Sequence, residues 1–326
     1  MAEKEFKEMI YTAPKKNSIL EIIGVISFFA PFATMFVGPI LVLFCLYLNW
    51  TTRLITLLYL GWVFIDSSGE SDREIKGLKI LIGNLYMPFV RSYFSAKLIK
   101  TSELDPSKPY IFGVHPHGVY CLSYLSNVLY NPNFYRLFPG IKTTTCTLPI
   151  NFVIPMWREF SFGVGAISSS AKAISKCVVK GVALGIVVGG AREFTFMKKG
   201  TMDLVLADRK GFVKIAIRTG ASLVPILNFG ENELYTQYDA PGYIKAYFKI
   251  FKMAAPSFIG RWKTIFPLQH ELVTIVGAPI ETIQNADPSQ EEIDRLHGLY
   301  LIALRDLYEK YKDTYFTYRT KEMEFL

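Results

Sequence analysis

Four consecutive residues, His115-Pro116-His117-Gly118, hold two of the chain's four histidines. Imidazole is the side chain best suited to accept and return a proton near neutral pH. The tetrapeptide closes an apolar run, Tyr110-Ile111-Phe112-Gly113-Val114, with the composition of a buried strand. Pro116 restricts the residue before it to extended geometry, and Gly118 permits a turn or a close approach of backbone to ligand. A strand ending in a stiff, imidazole-bearing corner has the layout of an active-site mouth. Paired histidines of this spacing also occur in metal hydrolases, but a metal centre needs three or four ligands. His270 and His297 are remote in sequence and carry no companion pattern. An acid/base role is therefore preferred over a metal one.

A second constellation is Val187-Val188-Gly189-Gly190-Ala191-Arg192-Glu193. Glycines at a strand end free backbone N–H groups to approach an anion or a developing oxyanion. Glu193 could orient an imidazole, and Arg192 could bind phosphate or carbonyl oxygens. On spacing alone, a solvated Arg-Glu turn is an equal alternative. The third is Arg209-Lys210-Gly211-Phe212-Val213-Lys214, followed by Leu223-Val224-Pro225 and Phe229-Gly230-Glu231-Asn232. Cations at a helix start combine side-chain charge with backbone donors into an anion site. None of the glycine-rich stretches matches a dinucleotide or phosphate-loop pattern. Ser169 and Lys172 have the spacing of penicillin-binding enzymes without the companion motifs, and are set aside.

The elements that must position these residues alternate in type. Apolar, β-branched and aromatic runs predict strands over 110–114, 142–148, 184–188, 223–229 and 271–276. Helices are predicted over 119–130, 170–180, 209–219 and 290–312, the last opened by Asp287-Pro288-Ser289. Such alternation argues an α/β fold with a mostly parallel sheet and flanking helices. Residues 243–266, aromatic and basic, fit neither element and suit an interfacial segment with snorkelling cations.

The 326 residues are 51% hydrophobic, with a net charge of +8. A basic balance fits nucleic acid, an anionic membrane surface or an anionic substrate equally well. Four scattered cysteines imply neither a disulfide framework nor a zinc site. Hydrophobicity is concentrated over 19–65, between a lysine-rich leader (1–18) and the remaining 66–326. The run is too long for a secretory signal. Gly38-Pro39 has the stop-and-start character that divides two helices, which predicts a membrane-embedded helical hairpin with its tip there. Lysines and arginines on both flanks place both ends in the cytosol. A single span plus a buried core helix is the alternative.

Together, His115-Pro116-His117-Gly118, Gly189-Gly190-Ala191-Arg192-Glu193, Arg209 to Ala216, Gly220, Leu223-Val224-Pro225 and Phe229-Gly230-Glu231-Asn232 resemble the type 2 diacylglycerol acyltransferase family. That family includes monoacylglycerol and wax-alcohol acyltransferases. Gly-Gly-Ala-Arg more distantly resembles the Glu-Gly-Thr-Arg motif of glycerol-phosphate acyltransferases. Two departures stand out. Tyr93-Phe94-Ser95 replaces the family's Tyr-Phe-Pro, and Arg192 stands where many members have a small residue.

The resemblance implies a glycerol-phosphate-acyltransferase-like α/β domain behind the hairpin. It further implies transfer of an acyl group from acyl-CoA to the hydroxyl of a neutral lipid, diacylglycerol ranking first. On this reading His117 is the general base, Glu193 orients its ring, and His115 supports the corner or binds substrate. Gly118, Gly189 and Gly190 offer oxyanion donors. Arg209, Lys210 and Lys214 meet CoA phosphates, while Arg192, Gly211, Phe212, Glu231 and Asn232 complete the substrate site. No metal or prosthetic group and no nucleic acid is expected, and a homo-oligomer is compatible with the chain. The expected location is the endoplasmic reticulum membrane, with lipid droplet surfaces as a second. Lesser alternatives are a covalent route through Cys121, a metal-dependent membrane hydrolase and a non-enzymatic neutral-lipid-binding protein.

Overall fold

The computed structural model describes residues 7–66, 74–75, 77–238, 241–242, 246 and 258–326. Most of the aromatic, basic stretch expected to lie at an interface falls outside the described residues. The strands are β1 (Met9–Thr12), β2 (Lys97–Lys100), β3 (Tyr110–His115), β4 (Lys142–Thr147), β5 (Ile167–Ser168) and β6 (Val182–Val187). They continue as β7 (Asp203–Leu204), β8 (Ser222–Phe229), β9 (Thr236–Gln237), β10 (Phe258–Ile259), β11 (Val273–Val276) and β12 (Glu324–Phe325).

Eight of them form one sheet in the order β1-β2-β11-β8-β3-β6-β4-β5. Pairing is antiparallel only at β1–β2 and β8–β11, so the expected mostly parallel sheet is borne out. Every residue of β3 and β8 is buried, as a parallel sheet covered on both faces requires. Alternate residues serve opposite cores. Phe112 and Val114 of β3 join one cluster with Val25, Phe28, Val90 and Tyr124. Ile111 joins the other with Ile174, Val178, Val213, Ile217 and Tyr300.

The helices are α1 (Ser18–Phe29), α2 (Thr34–Leu48), α3 (Trp50–Ile65), α4 (Leu78–Leu85), α5 (Met87–Tyr93) and α6 (Leu122–Tyr124), which runs into a π-turn over Leu125–Leu129. After them come α7 (Pro132–Leu137), α8 (Trp157–Gly163), α9 (Ala171–Val179), α10 (Gly190–Glu193), α11 (Gly211–Thr219) and α12 (Gln290–Tyr315). Ser289 caps α12 by accepting from the Glu292 N–H at 3.1 Å.

The N-terminal apolar run corrects the expected hairpin. Ser18–Leu48 forms one helical rod of 31 residues, long and apolar enough to cross a membrane. Its turn is at Asn49, not at Gly38-Pro39. Asn49 is extended (φ −153°, ψ 173°) and closes a reciprocal capping box with Thr52. Arg53 Nε donates to the Leu46 carbonyl and Thr52 Oγ1 to the Cys45 carbonyl. These two side chains thus satisfy carbonyls left open at the end of α2. Pro39 lies inside α2, where it removes one hydrogen bond. Gly38 is small for another reason: a Cβ there would overlap the Pro155 carbonyl.

The lower half of the rod is bound to the globular body. Gly24 lets α1 approach α5 so closely that a Cβ would stand 2.6 Å from Phe89 Cβ. Val25, Phe28 and Phe29 are buried in the sheet's core. Glu21, 2% exposed, accepts from Ser92 Oγ at 2.5 Å and pairs with Lys15 at 2.8 Å. Within the leader, β1 pairs with β2 at the sheet edge. Neither the leader nor α1 is an appendage of the catalytic body.

Candidate active site

Topology brings the three motifs together. β3 lies between β6 and β8 and runs parallel to both. The His115–Gly118 corner, the Gly189–Glu193 turn and the Gly230–Asn232 turn therefore leave the sheet at the same edge. Ligand crevices of open α/β sheets form at these carboxyl ends. Long stretches of chain separate each motif from the next, yet neighbouring strands deliver them side by side.

The two histidines differ sharply. His115 ends β3, fully buried, with Nε2 at 2.9 Å from Tyr300 Oη. Burial depresses its pKa to about 3, so it stays neutral and shielded. The peptide bond to Pro116 is cis. The His115 carbonyl accepts from Asn228 Nδ2 at 3.0 Å; Asn228 Oδ1 accepts from Thr274 Oγ1, which accepts from Asn127 Nδ2. A buried polar chain thus pins the strand end.

His117 is partly exposed. Its Nδ1 lies 2.8 Å from the Gly118 carbonyl. A carbonyl only accepts, so Nδ1 carries the proton and Nε2 keeps a lone pair with no partner among the described residues. Burial lowers the His117 pKa, and the Gly118 carbonyl counters it in part. The ring is neutral at neutral pH, as a base must be before it accepts a proton.

Glu193 acts on the corner otherwise than expected. Its Oε1 accepts from the His117 backbone N–H at 2.5 Å and its Oε2 from the Val205 N–H at 3.1 Å. The carboxylate fixes the main chain that carries the imidazole, and the Gly118 carbonyl fixes the ring. Burial raises the Glu193 pKa to about 7, against the two N–H donors and the nearby Arg209 charge. A Cβ at Gly189 would overlap this carboxylate, and Gly190 adopts φ +56°, which is why two glycines stand here.

Glu193→Gln is expected to cost about 1–3 kcal/mol, because a carboxamide satisfies only one of the two N–H donors. The raised carboxyl pKa contributes stability that is complete below pH 4.5 and lost as pH rises through about 7. That slope should vanish in the variant, while the acidic limb of its activity profile stays in place. Denaturant unfolding at several pH values, with a pH–rate profile, checks both.

Several residues expected to bind substrate are engaged elsewhere. Glu231 is buried, accepting from the Leu122 N–H (2.8 Å), the Ser123 N–H (2.7 Å) and Ser123 Oγ (2.5 Å). It caps the helix that follows the histidine corner. A Cβ on Gly118, at φ +59°, would overlap its side chain. Asn232 Nδ2 donates to the Thr201 carbonyl at 3.0 Å. Phe212 is buried with its ring 5.0 Å from that of Tyr300, so it joins α11 to α12. Lys210 pairs with Asp294 at 2.8 Å. Arg209 acts on Glu193, whereas Arg192, Gly211 and Lys214 are exposed.

Burial first, then the Glu231 charge, holds the Cys121 thiol protonated, so it is no ready nucleophile. Among the described residues, no three His, Cys, Asp or Glu side chains converge as a metal site. Tyr300, Asn228, Thr274 and Ser123 are partners that motif reading missed. Only contact across the sheet exposes them, and no spacing signals it.

Comparison with known proteins identifies the family. Residues 43–326 match the family model described as diacylglycerol acyltransferase. The chain is 39% identical over 289 residues to diacylglycerol O-acyltransferase 2A of Umbelopsis ramanniana, covering 83% of this chain and 81% of that one. It is also 39% identical over 274 residues to human 2-acylglycerol O-acyltransferase 1, covering 79% and 81%. Among solved structures, a 1-acyl-sn-glycerophosphate acyltransferase from Thermotoga maritima covers 89% of this chain at a TM-score of 0.42 and 14% identity, too distant to assign residues from. The expected acyltransferase is borne out: with relatives this similar along most of their length, the chain belongs to the diacylglycerol acyltransferase family.

Proposed function

We propose that the chain transfers the acyl group of acyl-CoA to the free hydroxyl of diacylglycerol, giving triacylglycerol and CoA. The observation that carries this reading is the free Nε2 of His117, on a ring locked by the Gly118 carbonyl at the crevice end of the sheet. Nε2 takes the hydroxyl proton as the oxygen attacks the thioester carbon. The tetrahedral intermediate collapses, the C–S bond breaks, and the imidazolium returns its proton to the departing thiolate. General-base catalysis of this kind supplies about 10²–10⁴-fold. Backbone N–H groups at Gly118 and at Gly189-Gly190 are the candidate donors to the oxyanion. Glu193 and His115 are positioning residues.

Arg209, the start of α11 and exposed Lys214 are the candidate dock for CoA phosphates. Lys210 is a weaker member, since Asp294 neutralises it. The chemistry assigns no role to a metal or prosthetic group.

The apolar hairpin supports a site at a membrane. With the turn at Asn49, α3 has 16 residues, short of the roughly 20 needed to cross a bilayer core, and the lower half of the 31-residue rod is bound to the globular body. This supports a re-entrant loop, and Lys7, Lys15, Lys16 and Lys79 on its flanks favour both termini in the cytosol. A loop that does not cross suits the endoplasmic reticulum and also the monolayer of a lipid droplet.

Monoacylglycerol is the second acceptor to weigh, because the human 2-acylglycerol enzyme is as similar as the diacylglycerol one. Microsomes from a host lacking storage lipid, given labelled acyl-CoA and each acceptor in turn, decide between them. Labelled triacylglycerol from diacylglycerol alone is the expected product. Label only in diacylglycerol, or only in wax ester, would overturn the acceptor assignment; label in neither would overturn the activity.

A further inference from the structure

Tyr120 lies three residues beyond His117, in the turn between β3 and α6, and is half-buried. Four aromatic rings surround it, all meeting it steeply. Phe29 and Phe32 belong to the hairpin rod, with centroids 5.0 and 5.2 Å away. Tyr235 and Phe258 stand at 5.8 and 5.7 Å from the other side. Phe258 in turn meets Phe194, the residue after Glu193, at 5.8 Å. A continuous aromatic wall therefore runs from the membrane rod to the two turns that form the active site.

The hydroxyl of Tyr120 sets it apart within this wall. The hydroxyls of Tyr93, Tyr110, Tyr124 and Tyr235 each donate to a backbone carbonyl, at 2.9–3.0 Å. Among the described residues, Tyr120 Oη has no such acceptor. Tyrosine hydroxyls in apolar surroundings normally find a partner. Burial also pushes the phenol pKa to about 12, so the group remains a neutral donor at any physiological pH.

We propose that Tyr120 is a specificity residue for the acceptor, its hydroxyl donating to an ester carbonyl of the incoming neutral glyceride. This deepens the reading of the chain as a diacylglycerol acyltransferase and rests on it. The chemistry suits such a ligand. Aromatic walls take uncharged acyl chains, and a neutral donor recognises a carbonyl without requiring a charge. A long-chain alcohol offers the same apolar chain and the same nucleophilic hydroxyl but no ester carbonyl. The Tyr120 hydroxyl would thus favour glycerides over alcohols by one hydrogen bond that only an ester carbonyl completes.

Tyr120→Phe keeps the ring and removes only the hydroxyl. The expected result is a KM for diacylglycerol raised roughly 3–10-fold. The kcat, the KM for acyl-CoA and the melting temperature should stay near wild type. A long-chain alcohol, assayed as acceptor or as competitor, should bind as well as before. An unchanged KM for diacylglycerol, or equal weakening of diacylglycerol and alcohol, would overturn the proposal while leaving the enzyme's activity intact. A wild-type protein that esterifies no glyceride would remove the underlying activity instead.

Discussion

His117→Ala is expected to lower kcat by roughly 10²–10⁴-fold while leaving the melting temperature of the solubilised protein close to wild type. The ring is partly exposed and its one hydrogen bond, to the Gly118 carbonyl, is local, so little of the fold depends on it. His115→Ala should show the opposite balance. That side chain is fully buried against Tyr300, and its loss opens a cavity with a stranded hydroxyl beneath the corner. Activity would fall in that variant together with the melting temperature. The wild-type pH profile separates the two further. Activity should decline only as pH drops below the ordinary imidazole value of 6.5, because burial lowers the His117 pKa. A full-rate His117→Ala enzyme would sink the assignment, and so would an acidic limb above that value.

Glu231→Ala should be the most destabilising single change near the site, by about 3–5 kcal/mol. The carboxylate accepts three hydrogen bonds, two of them from N–H groups at the start of α6. Removing it leaves two buried backbone donors unanswered, each costing about 1–3 kcal/mol. Glu231→Gln keeps one acceptor oxygen and should lose about half as much. Because the same side chain presses on Gly118, both variants should also loosen the corner and reduce turnover. Thermal unfolding in detergent, ranked against residual activity, checks the order wild type, Gln, Ala. A Gln variant less stable than the Ala one would contradict the capping role.

The interior of this fold is readable from its residues because physics repeats itself there. The buried runs over β3, β6, β8 and β11 admit few other structures, and each was expected within two residues of where it lies. The edge strands β1 and β5, and β2 beside β1, carry no legible signal, since four residues or fewer with mixed polarity leave no period to detect. The hairpin turn was misplaced for a different reason. Gly38 is set by its closeness to Pro155, a contact between distant parts of the chain that no local pattern carries. Asn49 and Thr52 make the turn, and in the sequence they are only two polar residues in an apolar run.

The site divides in the same way. The motifs themselves were legible, since glycine pairs and histidines mark chemistry by type. Their inner partners were not. Glu193 reaches the backbone of His117 rather than its ring, and Glu231 turns inward to a helix. Which way a carboxylate faces depends on the strand order, and the strand order is not written in any one segment.

The close approaches of Gly24 to Phe89 and of Gly38 to Pro155 fasten the apolar rod to the catalytic body at two heights. With the rod in a bilayer, two rivets leave the histidine corner no freedom to rise or tilt over the membrane plane. The depth at which an acceptor presents its hydroxyl then becomes a selection criterion in its own right. Reactant supply becomes two-dimensional, so that turnover follows the mole fraction of acceptor in the surface rather than its amount per volume.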